Sequence, residues 1–386
     1  MMALAISVNL PPVYLTTFSE IFGGLSAEQL GRIPALIFIG LVTGTLLTGP
    51  LADRWGPKPF LLLGLGINCA GLILLSQVWS YFSVLLAVAT MGFGTGVLDM
   101  VLSPIVATLR PERRGSALNW LHSFYCIGAV FTILISFLSE FKGISVSFRV
   151  ISLILLVIPA ATLVGFLPVR VPPLIAGTET MPIRKLFRER YFHAALLAIF
   201  LAGATELGMS QWLPAYTELG IGYEKWVGKL AFLGFAVAMT LGRFAAGHLG
   251  HRFAVITMMI LGCLGSAVGY LLGSFSGVGP VALAACILVG FTCSILWPSI
   301  LAVAADRYPQ GGATMFAWLG ATGNMGGIFM PWAIGLIAGQ SSLRWGILTT
   351  LICPLLLIGL LLWMNRQRRL HLSGPPTEVT GVQIAD

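Results

Sequence analysis

Apolar residues run through this chain in long, non-alternating blocks, and polar residues gather in the short intervals between them. A membrane-crossing helix needs roughly 20 consecutive apolar residues. Reading the runs between charged or Pro/Gly punctuation predicts twelve such helices, near 1–20, 28–51, 59–77, 80–108, 114–138, 146–167, 192–216, 226–248, 253–273, 278–305, 312–338 and 344–365. The first is the weakest, because Asn9, Pro11 and Pro12 interrupt it. The longest polar connection, PVRVPPLIAGTETMPIRKLFRER (168–190), falls at the midpoint. The expected organisation is an all-α membrane protein. A six-helix bundle covers 1–167, a cytoplasmic linker 168–190, a second six-helix bundle 191–365 and a polar cytoplasmic tail 366–386.

Composition sharpens this picture. Of 386 residues, 57% are hydrophobic and 9% charged, against roughly 25% charged in soluble domains, which excludes a soluble protein. The net charge of +8 sits in clusters between apolar runs, a pattern of membrane orientation and not of a nucleic-acid-binding face. One set of intervals, around 54–58, 110–114, 184–190 and 366–369, holds most of the Lys and Arg. The other holds only Arg32, Lys142, Arg149, Lys225, Lys229 and Arg344. By the positive-inside rule both termini face the cytoplasm, in a bacterial-type inner membrane. Six cysteines lie in apolar stretches without CxxC or Cys/His spacing, so neither a metal site nor a disulfide framework is expected. The start, MMALAISVNLPP, lacks a basic n-region and an A-x-A cleavage site, and reads as part of the first membrane helix.

The two halves repeat. GPLADRWGPK (49–58) follows the second helix and GHLGHRF (247–253) the eighth. Gly49, Leu51 and Arg54 match Gly247, Leu249 and Arg252 at an offset of 198, which also takes Trp120 to Trp318 and Gly128 to Gly326. Paired six-helix halves around a midplane cavity are a transporter architecture. There is no HExxH, no P-loop and no G-x-S-x-G around a nucleophile, so an enzyme is not expected and any transport is gradient-driven.

GPLADRWGPK resembles the signature between the second and third helices of the major facilitator superfamily, with Gly49, Asp53, Arg54, Gly56 and Lys58 at its defining positions. The resemblance implies a cytoplasmic gate whose aspartate holds the halves together in the outward-open state. The plainer alternative is a solvated loop pair of small energetic weight. The second copy has His251 in place of Asp53. Arg252, and Arg243 one turn before Gly247, complete the expected gate set.

Three further stretches, GTGVLDMVLSPIVATLRPERRGSALNWLHSFYCIGAV (94–130), GATELGMSQWLPAY (203–216) and residues 295–335, resemble the fucose/glucose–galactose permease branch of that superfamily. This implies import of a neutral monosaccharide by proton symport, with no cofactor; Na⁺ in place of H⁺ stays open. The scarcity of midplane cations agrees, Arg243 lying near a helix end. One departure is that no acid precedes Glu20, leaving Asn9 as the nearest polar residue of the first helix.

An aspartate at the centre of a membrane helix costs on the order of 2.5–3.5 kcal/mol on the insertion scale. Asp99 therefore reads as a proton site, a sugar-hydroxyl acceptor or a structurally paired acid. Glu206 is a second midplane acid, and Asp99 and Glu206 are the expected proton-coupling residues. Asn119 and His122 share a helix face at i, i+3. With Asn9, Gln211 and Asn324 they supply hydrogen-bonding groups, and Trp297 an aromatic plate, for a sugar. The plainer readings are packing hydrogen bonds, a satisfied buried histidine, and a packing tryptophan at the Pro298 kink. The rivals on function are a transporter or exporter of amphipathic, lipid-like molecules and a non-transporting membrane sensor. The expected partners are the solute and the bilayer, with the chain a monomer.

Overall fold

The computed structural model describes residues 1–109, 114–139, 146–171, 181–249, 253–308 and 310–372, and among these residues all regular structure is helical. The first part of the chain forms α1 (Met2–Val13), α2 (Leu15–Ile21), α3 (Ala27–Trp55), α4 (Pro57–Ser76), α5 (Tyr81–Leu109), α6 (Arg114–Leu138) and α7 (Phe148–Phe166). After the short α8 (Ile183–Leu186) come α9 (Arg190–Ala215), extended by a π-helical turn over Tyr216–Ile221, and α10 (Lys225–Leu249). They are followed by α11 (Val255–Phe275), α12 (Gly279–Cys293), α13 (Leu296–Arg307), α14 (Gly312–Gln340), α15 (Leu343–Thr349) and α16 (Ile352–Leu372).

Among the described residues nine helices are long and apolar enough to cross a membrane, and a tenth forms if α1 and α2 count as one bent span. The sequence pattern predicts single helices over 1–20, 278–305 and 344–365; all three are broken, the last at Thr350 and Leu351, between α15 and α16. Pro11 and Pro12 lie inside α1 and remove two backbone donors, and the chain bends by 54° between α1 and α2. The second break, at Ser294 and Ile295, separates α12 from α13.

Local chemistry sets the other boundaries. Ser26 and Gln29 form a reciprocal capping box at the start of α3: Gln29 N–H donates to Ser26 Oγ (3.2 Å) and Ser26 N–H to Gln29 Oε1 (2.8 Å). Gly56, at φ +79°, turns α3 directly into α4, and Pro57 opens the new helix. We call this the motif end of the bundle and the other the opposite end.

The 198-residue repeat governs packing as well as sequence. α5 lies on α3 and α4, and α12 lies on α10 and α11. Gly44 faces the carbonyl of Phe93, and Gly242 that of Phe291; Gly92 faces Ile37, and Gly290 Phe235. Gly64 meets Gly94 and Leu98, and Gly262 meets Thr292 and Leu296. Gly128 of α6 packs on Met2 and Ala5 of α1, while Gly326 of α14 packs on Phe200 and Gly203 of α9. Every one of these partners is displaced by the same 198 residues. Each glycine removes a side chain where two helices approach to backbone contact, so both repeats use small residues to pack where solvent exclusion between helices supplies little force.

The repeats meet through α3 with α14, α1 with α9 and α6 with α10. At the opposite end Gly31 of α3 and Gly335 of α14 touch backbone to backbone. There Lys225 of α10 pairs with Glu20 of α2. Lys229 is buried, donates to the carbonyl oxygen of Ser136 (3.1 Å) and lies 4.2 Å from the ring centre of Tyr14.

Candidate functional site

Where α6, α9 and α10 converge, the two repeats face each other across a pair of opposite charges. Glu206 is carried by α9 and Arg243 by α10, with Nη2 of Arg243 3.8 Å from Oε1 of Glu206. Their side chains are 16% and 35% exposed, respectively, so both retain access to an ionic ligand without being surface groups. Across from them α6 presents Cys126, whose Sγ receives Nη1 of Arg243 at 3.7 Å. Its neighbour Tyr125 is half-buried, lies close to Asn9 of α1 and is within electrostatic reach of both Glu206 and Arg243.

The glycine contacts explain why these side chains meet. Gly242, immediately before Arg243, lets α10 close onto α12 at Phe291 and Ser294, at the α12–α13 break. Gly203, one turn before Glu206 on the same face of α9, leaves space for the indole of Trp297 at the start of α13. Gly323 of α14, in backbone contact with Gly203, makes room for the same edge of the ring. The α12–α13 break thus lies close to the charged pair, and discontinuous helices of this kind line ligand sites in membrane transporters.

The guanidinium is incompletely served. Arginine carries five N–H donors in a planar fork, and here they meet a weak thiol acceptor and a carboxylate beyond hydrogen-bonding distance. Arg243 Nε is buried and makes no hydrogen bond among the described residues. Removing either charge would leave the other buried and uncompensated, which costs far more than the loose contact itself is worth.

The other sequence candidates are placed as follows. Asp99 is half-buried on α5 in the first repeat and interacts with the Met1 amino group; among the described residues the charge acting on Glu206 is that of Arg243. Asn9 is buried and donates to the carbonyl oxygen of Ala5 (2.8 Å), so its amide serves α1 itself, beside Tyr125. Gln211 is 1% exposed, with Oε1 making no hydrogen bond among the described residues. It adjoins Trp212, whose indole N–H donates to the carbonyl oxygen of Pro331 (2.9 Å). Asn324 is half-buried beside Gly323. Trp297 is half-buried, its ring edge packed against glycines and one part accessible. The side chains of Asn119 and His122 lie outside the described residues.

Of the gate set, Gly49 faces Met100, whose Cε would lie 3.3 Å from an added Cβ, and Gly56 makes the turn already described. Lys58 Nζ donates to the carbonyl oxygen of Leu167 (2.9 Å), binding α4 to the end of α7 within one repeat. The side chains of Asp53 and Arg54, and the whole of Arg252, lie outside the described residues. Arg243, grouped with this set by its spacing from Gly247, points instead to Glu206. Sequence reasoning missed Tyr125 and Cys126. Their signal is helical phase, since they lie three and four residues beyond His122 and so continue the Asn119–His122 stripe. Among the described residues no group of three His, Cys, Asp or Glu is placed to hold a metal ion.

The Major Facilitator Superfamily model matches residues 1–233 and 227–385. The chain belongs to that superfamily. It is 26% identical over 354 residues to the putative niacin/nicotinamide transporter NiaP of Bacillus subtilis (strain 168), covering 86% of this chain and 85% of that protein. Among solved structures it resembles the Escherichia coli fucose:proton symporter FucP (TM-score 0.66, 19% identity, 94% of this chain and 96% of the other). It also resembles a bacterial homologue of the human lysosomal transporter Spinster (TM-score 0.74, 14% identity, 97% of each chain). At these identities the structures share a fold with the superfamily member described here. As a member of a transporter superfamily, the chain is a multi-pass membrane protein and not an enzyme.

Proposed function

We propose that this superfamily member is a gradient-driven secondary transporter that carries a small polar organic solute by alternating access. The observation behind this reading is the Glu206–Arg243 pair, held at mid-depth in one repeat and facing Tyr125 and Cys126 of the other. Intramembrane charges are expensive and mark ion and solute pathways. A site contacted by both repeats changes shape when they rock against each other, which is how alternating access works.

The proposed frame is twelve spans, six in each of the bundles 1–167 and 191–365. The pairs α1–α2, α12–α13 and α15–α16 each make one span. With the basic clusters inside, the motif end and both termini are cytoplasmic. The Gly31–Gly335 contact and the Lys225–Glu20 pair then close the outer side, and the state is inward-facing. Asp53 and Arg54 of the motif act in the reverse state, on the cytoplasmic side.

For the solute, the branch resemblance favours a neutral monosaccharide taken up with a proton, Asp99 and Glu206 serving as acids. FucP, a fucose:proton symporter, has the same fold. A second reading, a solute bearing a carboxylate, is favoured by Arg243. Arg243 lies near the end of α10, but its guanidinium reaches Glu206 in the middle of α9 and so offers a cation to an anionic solute. NiaP, by its name a niacin/nicotinamide transporter, covers most of the chain. Uptake into proteoliposomes, with and without an inward proton gradient, tests both readings. The solutes are fucose, glucose, nicotinate and nicotinamide, and the unmodified chain is compared with Asp99→Asn. Gradient-driven sugar uptake lost in Asp99→Asn supports the monosaccharide, and gradient-driven nicotinate uptake the carboxylate. Ligand binding with no flux of any solute would overturn the transporter reading in favour of a sensor.

A further inference from the structure

The donors of Arg243 and the position of Glu206 specify more than a polar site. Among the described residues Nη1 reaches a thiol at 3.7 Å, Nη2 a carboxylate oxygen at 3.8 Å, and buried Nε no acceptor. A planar fork with three under-served nitrogens fits a carboxylate, which accepts two parallel N–H bonds from guanidinium. Lysine would offer only a point charge there.

We propose that Arg243 binds the carboxylate of the transported solute, and that a proton arriving on Glu206 releases Arg243 to do so. The inference rests on the transport reading above and adds the class of solute and the order of charge exchange. With the site empty, the Glu206 carboxylate and the Arg243 guanidinium sum to zero. A proton from the aqueous phase bonds to a carboxylate oxygen of Glu206, breaks the pairing and leaves the guanidinium alone. A monocarboxylate then pairs with the fork and returns the site to zero. On the far side the carboxylate leaves with its counter-proton, which Glu206 gives up to water as it pairs again with Arg243. No other bond is made or broken.

Charge balance makes this coupling tight. The empty site and the doubly loaded site are both neutral. Proton without solute, or solute without proton, leaves a net charge among apolar helices, where uncompensated charge is strongly penalised. The carrier therefore crosses empty or with both, and the transport is electroneutral. A neutral solute does not close the same cycle. With Glu206 protonated it leaves the guanidinium unpaired, and with Glu206 ionised no proton moves through this pair. Trp297 of α13, packed against Gly203 one turn along α9 from Glu206, supplies an aromatic wall on that side of the pair.

The test uses the full chain in proteoliposomes and isosteric pairs, nicotinate with nicotinamide and benzoate with benzamide. Accumulation is driven by an inward proton gradient, with the membrane potential clamped or varied. The expected result is that a carboxylate accumulates, its amide does not, and the potential has no effect. Arg243→Gln lowers carboxylate uptake by roughly tenfold or more, the scale of a lost charge-assisted pair, and Arg243→Lys restores part of it. Glu206→Gln, a shape-conserving mimic of the protonated acid, still binds the carboxylate, read by tryptophan fluorescence. Its binding no longer depends on pH, and it exchanges solute without concentrating it. A melting curve of each variant in detergent separates misfolding from loss of the site. Proton-driven uptake of sugars or amides that survives Arg243→Gln overturns the inference and leaves the transporter reading intact. Carboxylate uptake that follows the membrane potential, or is unchanged in Arg243→Gln, also overturns it. Failure of every solute to cross with well-folded protein overturns both.

Discussion

Gly31 of α3 and Gly335 of α14 meet backbone to backbone: a Cβ on Gly335 would lie 3.1 Å from Cα of Gly31, and one on Gly31 3.2 Å from Cα of Gly335. No side chain fits between them, so the closed opposite end depends on both positions remaining hydrogen-only. Gly335→Val is expected to hold this end apart. The reporter is Trp212, whose indole N–H donates to Pro331 one helical turn away. Its emission, isolated by subtracting a Trp212→Phe background, moves to the red as water enters, and solute exchange slows. Unchanged emission together with normal exchange would show that the contact does not govern closure.

The Lys225–Glu20 pair fastens the same end by charge. Its side chains are 29% and 60% exposed, which limits the pair to about 0.2–1 kcal/mol. Lys225→Glu and Glu20→Lys should each change the exchange rate by a factor of a few, in the same direction, and more so at low salt. The double exchange should return the rate toward that of the unmodified chain. If the double variant is as impaired as the sum of the single ones, the two residues act independently.

Two glycines of α14 separate packing from helix propensity. An added Cβ on Gly326 would sit 2.6 Å from the carbonyl oxygen of Phe200, whereas Gly320 has nothing within 4 Å. Gly320→Ala should raise thermal stability by up to about 1 kcal/mol, the helix-propensity gain. Gly326→Ala should lower stability, by about 1–3 kcal/mol for an overpacked contact. Gly128→Ala, at the equivalent place in the first repeat, should follow Gly326. Melting curves in one detergent decide it, and equal shifts for Gly320 and Gly326 would count against the packing argument.

Gly56 adopts φ +79° between α3 and α4. With ψ at +163° this is a region essentially restricted to glycine, where an L side chain costs about 1–3 kcal/mol, so Gly56→Ala and Gly56→Asn are both expected to lower the melting temperature. A substitution without effect would mean that the turn relaxes to negative φ.

Much of the architecture was legible because it is written in periodicity. Long apolar runs mark helices whatever their neighbours, and the offset of 198 seen at Gly128 and Gly326 reappears contact by contact in the structure. The breaks were less visible. Pro11 and Pro12 signalled the first, and Pro298, whose ring clashes with the carbonyl four residues back at Ser294, the second, yet neither says how far the chain bends. The site was legible in part. Glu206 stands out as an acid in an apolar run, yet nothing along the chain says that Arg243, 37 residues later, turns to meet it. Proximity to Gly247 assigned Arg243 to the gate, whereas helical phase and the close approach at Gly242 direct it inward. Trp297 had the right neighbourhood but a more constrained surface, because its ring edge is packed against Gly203 and Gly323.

The same offset pairs Asp99 with Trp297. One ancestral position is thus occupied by an acid in one copy and an indole in the other, while the glycines around it have kept their partners. The repeated parts are those that set how closely helices approach, and the parts that differ include the residues proposed to bind the solute. Such a chain behaves as a hinge made of twins with unlike palms: the matching halves make the rocking motion reversible, and the mismatch between them gives it something to grip.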